Sequence, residues 1–597
     1  MARPVPDFPD RLSPARLWHL VCDPTPGRLP YAIRMAAACT ATVLIGEIWQ
    51  VPDLAVPTLA AMALWQKDRV TNALAGVGLN VIILVLIALV YGLVRLTLDH
   101  PMGLVIVIAL LSFMFFFLGS ASKLKPVAYM LGLIIVYALI AIDQVPVGEV
   151  VTRALLYTDL FLAVPGAVMV VLGLLICPSP KILLTDAVAT RLRISVQLLE
   201  SPDGQIRERA TDMLRTGTTE MMKNAKMAAL EKLWSAHDLA CLKQAAGASV
   251  SVLALAIEAA DSHSSLIIPP ELLNPLRSMV AIFAQGDYPT DIQRPHIPAA
   301  APALQALADL LPTFTTPALE SKQTSAKQAS GFFAPDAFTN PEHVRFAVKG
   351  TAAVMTSYFL FKILNWQGIH TCIITCFIVA LPTMGEMISK LTLRIVGALI
   401  GGSIGILSII FLMPHFNDVT AFLALVFVAS LIGAWIKAGD ERIAYAGFQI
   451  GLAFYLTDLK GYGPTTDMAT ARDRIVGIMI GNFITYAMFT SFWPSSAYHQ
   501  LPTKLRAIAD TLKRERDAPD IQHREAACAE TQTAISEGER TLEYAMTEPA
   551  HMRADLTHLQ TCQDVLKDAA RLSADLLQDG SETDADSRIA RLEQTAS

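Results

Sequence analysis

The sequence predicts an all-α polytopic membrane protein: two parallel six-helix repeats, about 12 membrane helices in all, with a helical cytoplasmic domain between them and a helical cytoplasmic tail behind them. Three observations predict it. Of 597 residues, 53% are hydrophobic and only 17% charged, at a mean hydropathy of +0.45, more apolar surface than a water-soluble chain can hide. Five stretches, 70–94, 101–122, 160–180, 395–414 and 475–499, run about the 20 residues a helix needs to cross a bilayer and contain no Lys, Arg, Asp or Glu. The two apolar blocks also repeat each other's landmarks. A disordered chain is excluded by the same composition. A net charge of −6 leaves no basic field, which excludes nucleic acid as a partner.

In chain order, 1–30 is a cytoplasmic N-terminal segment that lacks the continuous apolar core of a cleaved signal peptide. The first membrane domain, 31–180, holds helices at about 31–50, 54–66, 70–95, 101–120, 126–143 and 153–177. From 181 to 346 charges recur every few residues and apolar positions follow helical spacing, as in Ala187, Leu192, Val196 and Leu199. This cytoplasmic domain reads as helices at 182–200, 204–233, 236–261 and 299–312, with Pro269, Pro270, Pro275, Pro289, Pro295 and Pro298 punctuating the gap. The second membrane domain, 347–494, holds helices at about 347–365, 369–385, 391–413, 419–436, 443–458 and 472–493. The tail, 495–597, returns to the polar helical style.

The repeat is visible residue by residue. Trp49, Pro57, the hinge Lys67-Asp68-Arg69 and Gly76 in the first half parallel Trp366, Pro382, Glu386, Lys390, Arg394 and Gly397 in the second. Arg69 to Gly76 and Lys390 to Gly397 share a spacing of seven. An even number of helices per half makes the duplication parallel. Basic residues fall in alternate loops: Arg28 and Arg34, Lys67 and Arg69, Lys123 and Lys125, Arg345 and Lys349, Lys390 and Arg394, Lys437 and Arg442. Asp53, Asp99, Asp143, Glu149, Asp418, Asp458 and Asp467 mark the opposite loops. That bias puts both termini and the 181–346 domain in the cytoplasm.

Trp366, Lys390-x-x-x-Arg394-x-x-Gly397-x-x-x-Gly401, Arg472-Asp473-Arg474-x-x-Gly477-x-x-x-Gly481 and the closing Trp493-Pro494, on this six-plus-six plan, resemble the fusaric acid resistance and aromatic acid exporter family. The resemblance covers essentially the whole chain, but the sixth helix of the first half, opening Arg153-Ala-Leu-Leu-Tyr-Thr-Asp159, lacks the paired glycines. It implies a multi-pass protein of the bacterial inner membrane that exports small aromatic carboxylic acids; secondary transport coupled to protons is expected from carboxylates within or at the ends of the apolar spans. A periplasmic adaptor protein is the partner it implies, besides substrate and lipid; a second copy of the chain is expected as a partner through the 181–346 domain, which otherwise serves intracellular entry. No enzyme activity and no cofactor are expected, since the chain has no phosphate-binding loop and no metal-ligand cluster. The two other readings are an organic-anion channel, on the likeness of the plan to plant anion channels, and a non-transporting scaffold or sensor.

Candidate site residues follow from the expense of burying charge in lipid. Glu47 in the first helix and Lys362 near the matching point of the seventh are expected to approach across the repeat interface, or else to reach water at the rim. Glu47, Asp159 and Asp473 are the proton-coupling candidates, because each lies within or at the end of an apolar span. Arg153, Arg472 and Arg474 are candidate substrate contacts, since a planar guanidinium binds carboxylates in bidentate fashion and stacks on aromatic rings. Lys390 and Arg394, with Lys67 and Arg69, form either a cationic inner funnel or plain topology signals. Pro57 and Pro382 interrupt corresponding short second helices, where freed backbone groups line a cavity. Gly397, Gly401, Gly477 and Gly481 are close-packing positions. Cys372 and Cys376, four apart on one apolar helix, read as small packed thiols.

Overall fold

The computed structural model describes residues 14–23, 25–51, 53–97, 100–123, 125–144, 148–262, 268–297, 302–317, 332–460, 463–465, 467–549, 552, 556–578 and 582–596. Asp99 and Pro298 lie outside the described residues. The described chain is overwhelmingly α-helical; a two-residue antiparallel ladder, β1 (Leu459–Lys460) with β2 (Gly463–Pro464), is its small exception. It divides into two compact units.

The first unit joins residues up to Cys177 with Ala329–Pro494. After α1 (Pro14–Cys22) come α2 (Arg28–Ile48), α3 (Ala55–Leu64), α4 (Arg69–Thr97), α5 (Pro101–Ala121), α6 (Lys125–Gln144) and α7 (Gly148–Ile176). Its second half has α14 (Pro341–Ile363), α15 (Thr371–Val379), α16 (Met384–Leu407), α17 (Val419–Lys437), α18 (Glu441–Asp458) and α19 (Met468–Ser491). Arg28–Ile48, Arg69–Thr97, Pro101–Ala121, Asp159–Ile176, Met384–His415 and Val419–Lys437 are long and apolar enough to cross a bilayer. Leu84, Val85, Ile106, Leu110, Leu399 and Phe411 stand exposed on them, which in water would be unfavourable and in hydrocarbon is not.

The halves interlock symmetrically. The first helix of each half packs on the fourth of the other, α2 on α17 and α14 on α5, and the second on the fifth, α3 on α18 and α15 on α6. Both first helices turn back through a left-handed residue, Gln50 at φ 51° and Asn365 at φ 47°. The third helices differ. α4 packs chiefly on α7, where Gly76 and Gly166 leave no room for a Cβ against each other's carbonyl. α16 packs chiefly on α18.

Both second helices are short, but the prolines do not break them. Pro57 sits in the first turn of α3, where a missing N–H forfeits nothing, and Pro382 lies in the non-helical link between α15 and α16. What satisfies the backbone at the break after α3 is side chains. Asn72 bridges Gln66, donating to its carbonyl at 2.8 Å and accepting from its N–H at 3.0 Å. Lys437 donates to the carbonyls of Met62 and, at 3.2 Å, Ala63. Basic residues of the alternate loops serve elsewhere as such caps: Arg28 donates to Trp435 O at 2.9 Å and Lys349 to Trp493 O at 2.9 Å.

The second unit joins Pro178–Gln328 with Ser495–Ser597. It contains α8 (Pro180–Glu200), α9 (Gly204–Arg215), α10 (Thr219–Glu231), α11 (Ala236–Ser262), α12 (Pro270–Ala284) and α13 (Pro302–Leu310), then α20 (Leu501–Arg516), α21 (Ile521–Thr547), α22 (Leu556–Leu576) and α23 (Glu582–Thr595). α11 is apolar enough to pass for a membrane span, yet 78% of its apolar window is buried within the structure, among α8, α10, α13 and α21. The helix expected over 204–233 is two helices. Gly217, at φ +57°, breaks it, and the buried Arg191 fork caps the break at Gly217 O and Thr216 Oγ1. α12 occupies the proline-rich gap, its Pro270 in the first turn.

Candidate functional site

Burial of charge locates the site. Arg394, nearly three turns into α16, is 1% exposed. Its Nη1 donates to Gln449 Oε1 at 3.1 Å and to Tyr445 OH at 3.3 Å, both on α18, and its Nη2 donates to Thr375 Oγ1 on α15 at 3.0 Å. Every one of these partners is neutral, and no carboxylate pairs with Arg394 among the described residues. Its Nε and the Nε2 of Gln449 are buried donors with no acceptor. Lys390, one turn earlier, sits with Nζ 5.1 Å from the centre of the Tyr445 ring, and Phe448 flanks that ring at 6.5 Å. The arrangement is a cationic, aromatic-walled locus with two unused N–H donors, the complement of a planar acceptor bearing two oxygens.

The local sequence dictates this closeness. Gly397, Gly401 and Gly405 repeat every four residues on the face of α16 that meets α18. A Cβ on Gly397 would lie 2.7 Å from Ala446 O, and one on Gly401 2.2 Å from Ile450 O, so only glycine admits the contact. Gly477 and Gly481 face α15, against Thr371 Oγ1 and Cys372 O. Cys372 and Cys376 are buried there beside Ser357.

A second cluster forms at the start of α19. Arg474 Nη1 contacts His370 Nε2 at 3.0 Å; because His370 Nδ1 lies 2.6 Å from Gln367 O, Nδ1 carries the proton and Nε2 accepts. The Tyr137 ring of α6 stands 5.6 Å from that imidazole. Arg472 pairs with Asp473 at 2.9 Å and lies 5.9 Å from the Trp366 ring centre.

The remaining candidates are elsewhere. Arg153 pairs with Glu149, four residues earlier, at 2.6 Å on an exposed surface, rather than with the half-buried Asp159. Glu47 is half-buried and has no ion pair with Lys362, whose ammonium lies 6.0 Å from the Tyr358 ring centre. Pro57 is buried and Pro382 exposed, and neither is among the hydrogen-bond partners of Arg394. Asp458, expected to mark one of the opposite loops, is fully buried as the last residue of α18. Thr375, Tyr445, Gln449, His370 and Tyr137 escaped the sequence reading, since a neutral polar residue in an apolar span is ordinary until a charge is found against it.

Residues 354–488, which hold the Arg394 cluster, match the family described as fusaric acid resistance protein-like. Multidrug resistance protein MdtO of Escherichia coli strain K12 is 25% identical over 518 residues, covering 83% of this chain and 74% of its own length. The protein of that name from Shigella flexneri is 37% identical over 188 residues, 31% of this chain and 28% of its own. No solved structure matches the chain. The second membrane half of this multi-pass protein is thus similar to the fusaric acid resistance protein-like family, and most of the chain is similar to the Escherichia coli multidrug resistance protein.

Proposed function

We propose that the protein is an inner-membrane secondary exporter of small aromatic carboxylic acids and that Arg394 is its anion-binding residue. One observation carries this reading: a fully buried guanidinium faces only neutral partners, with its own Nε and the amide of Gln449 left without acceptors. Removing an arginine from water without a counter-charge is strongly unfavourable, so a ligand that restores the charge balance is the physical reason to retain it. A carboxylate fits the two free donors, and an aromatic ring attached to it fits Tyr445 and Phe448. The Arg474–His370 cluster, with Tyr137 of the first half beside it, is a second station of similar chemistry. Relatives named for drug resistance agree with export of toxic compounds. With the cell interior negative, each anion leaving gains about 2.3 kcal/mol per 100 mV, so modest export needs no other energy source. A periplasmic adaptor would carry the substrate onward.

The test is a growth-inhibition panel of aromatic acids on a deletion strain complemented with wild type, Arg394→Ala, Arg394→Lys or Arg153→Ala. Loss of charge-assisted hydrogen bonds worth about 1.5–3 kcal/mol should reduce apparent affinity about 10- to 150-fold in Arg394→Ala. Arg394→Lys should recover only part, because an ammonium lacks the fork. Protection against aromatic acids by Arg394→Ala equal to wild type would exclude the assignment.

A further inference from the structure

The strongest unexplained feature outside the Arg394 cluster is the carboxyl of Asp458, which is 0% exposed. It ends α18 and packs where α16 loosens into a π-turn at Ser408–Leu412. π-turns are rare and concentrate at functional sites. Gly405 makes room for the group: a Cβ there would lie 2.8 Å from Asp458 Oδ1.

The hydrogen bonding contains a proton shortage. Ser408 Oγ lies 2.7 Å from the carbonyl of Gly405 and within hydrogen-bond distance of Asp458 Oδ2. A hydroxyl has one proton and cannot donate to both. If it donates to Gly405 O, the Asp458 contact is made only by a proton on the carboxyl, with Oδ2–H donating to Ser408 Oγ. The other oxygen, Oδ1, is buried with no donor at all, which an ionised carboxylate tolerates poorly. Among the described side chains no Lys, Arg or His reaches the group. α16 offers Ser408 and Gly405; on α18, Thr457 is bonded to Ala453 O and the Tyr455 hydroxyl to Ser430 of α17. α3 has no ionisable residue, and on α19 Arg472 holds Asp473 while Arg474 holds His370.

We propose that Asp458 and Ser408 form a proton-binding site that couples export to proton entry. One proton binds the Asp458 carboxylate from one face of the membrane, is held as Oδ2–H···Oγ in the arrangement seen here, and is released to the other face when the π-turn opens the site to water. Gly397, Gly401 and Gly405 hold α16 on α18 throughout, so the anion locus at Arg394 and the proton locus at Asp458 lie on one helix pair, about 13 Å apart along α18 at 1.5 Å per residue from Gln449 to Asp458. This inference rests on the exporter reading above and adds to it the residue that carries the proton.

The test uses the full-length protein in liposomes with radiolabelled 4-hydroxybenzoate as the probe. Substrate-for-substrate exchange moves no net proton, whereas uptake driven by an imposed pH gradient does. Asp458→Asn should keep exchange within about threefold of wild type and lose gradient-driven accumulation by at least tenfold. Ser408→Ala should lower accumulation less. In the infrared difference between wild type and Asp458→Asn, which cancels the signal of the buried Glu515 and Glu525, a protonated-carboxyl band should appear and fade on alkalinisation; it should be shifted in Ser408→Ala. Accumulation by Asp458→Asn at the wild-type level overturns the proposal. So does loss of exchange and accumulation together with no such band in the wild type. A wild type that neither exchanges nor accumulates the probe, but shows the band, instead overturns the exporter reading.

Discussion

Gly401 and Gly402 are sequence neighbours whose replacement by alanine should have very different consequences. A Cβ on Gly401 meets backbone: Ile450 O at 2.2 Å, and the carbonyl carbon and Cα of the same residue at 2.9 Å. A Cβ on Gly402 meets only the flexible tip of Ile475, at 3.2 Å. Backbone cannot rotate away, so Gly401→Ala obliges α16 and α18 to separate by about 1 Å to restore ordinary contact. Separation on that scale stretches the 3.1 and 3.3 Å bonds from Arg394 to Gln449 and Tyr445 past useful length. Overpacking of this kind typically destabilises by about 1–3 kcal/mol, a roughly 5- to 150-fold shift in the folding equilibrium. Gly402→Ala should stay within about 0.5 kcal/mol. Thermal unfolding of the two purified variants in detergent, followed by the aromatic-acid growth assay, reads both effects. If Gly401→Ala melts with Gly402→Ala and protects cells as well, the glycine contact does not set the geometry of the Arg394 locus.

Lys437→Met keeps the aliphatic stem but leaves the Met62 and Ala63 carbonyls at the end of α3 without their donor, and should lower the melting point by the equivalent of about 1–3 kcal/mol. Arg153→Ala breaks a pair whose side chains are 73% and 74% exposed, so stability should change by less than about 0.5 kcal/mol; a loss of transport with unchanged stability would reinstate Arg153 as a substrate contact. In the second unit, burial pushes the Glu515 and Glu525 carboxyls up to about 8 each, from ordinary values of 4.5. The folded unit therefore holds protons that the unfolded chain has released, and its stability should fall as pH rises from about 4.5 to about 8 and level off above that. Within that window each carboxyl shifts the folding equilibrium by up to about tenfold per pH unit, which amide hydrogen exchange in α20 and α21 would follow. Glu515→Gln should flatten the profile, and an unchanged slope would rule the carboxyl out.

Much of the fold is legible in the sequence because the property that fixes it is local. A run such as 70–94 is apolar whatever it packs against, and lipid accepts it as a helix. The repeat was legible for the same reason, in Trp49 and Trp366 and in the spacing of Lys390 to Gly397. Local patterning misled where a break depends on capping: Gly217 splits one expected helix, and α12 forms through a proline-rich stretch with Pro270 harmless in its first turn and Pro275 carried inside the helix. α11 shows the limit of hydropathy, since its apolar window serves a protein core.

The sequence by itself determined that these helices belong in a membrane, that the chain is duplicated, and that Arg394 and its glycines share one helix, because composition and spacing are properties of single segments. Only the tertiary structure decided that Arg394 meets neutral partners from α15 and α18, that Asp473 and Arg153 are held in ion pairs, and that Asp458 is buried against a π-turn. A side chain's charge balance depends on which helices pair across tens to hundreds of residues, and no one-dimensional pattern records that choice.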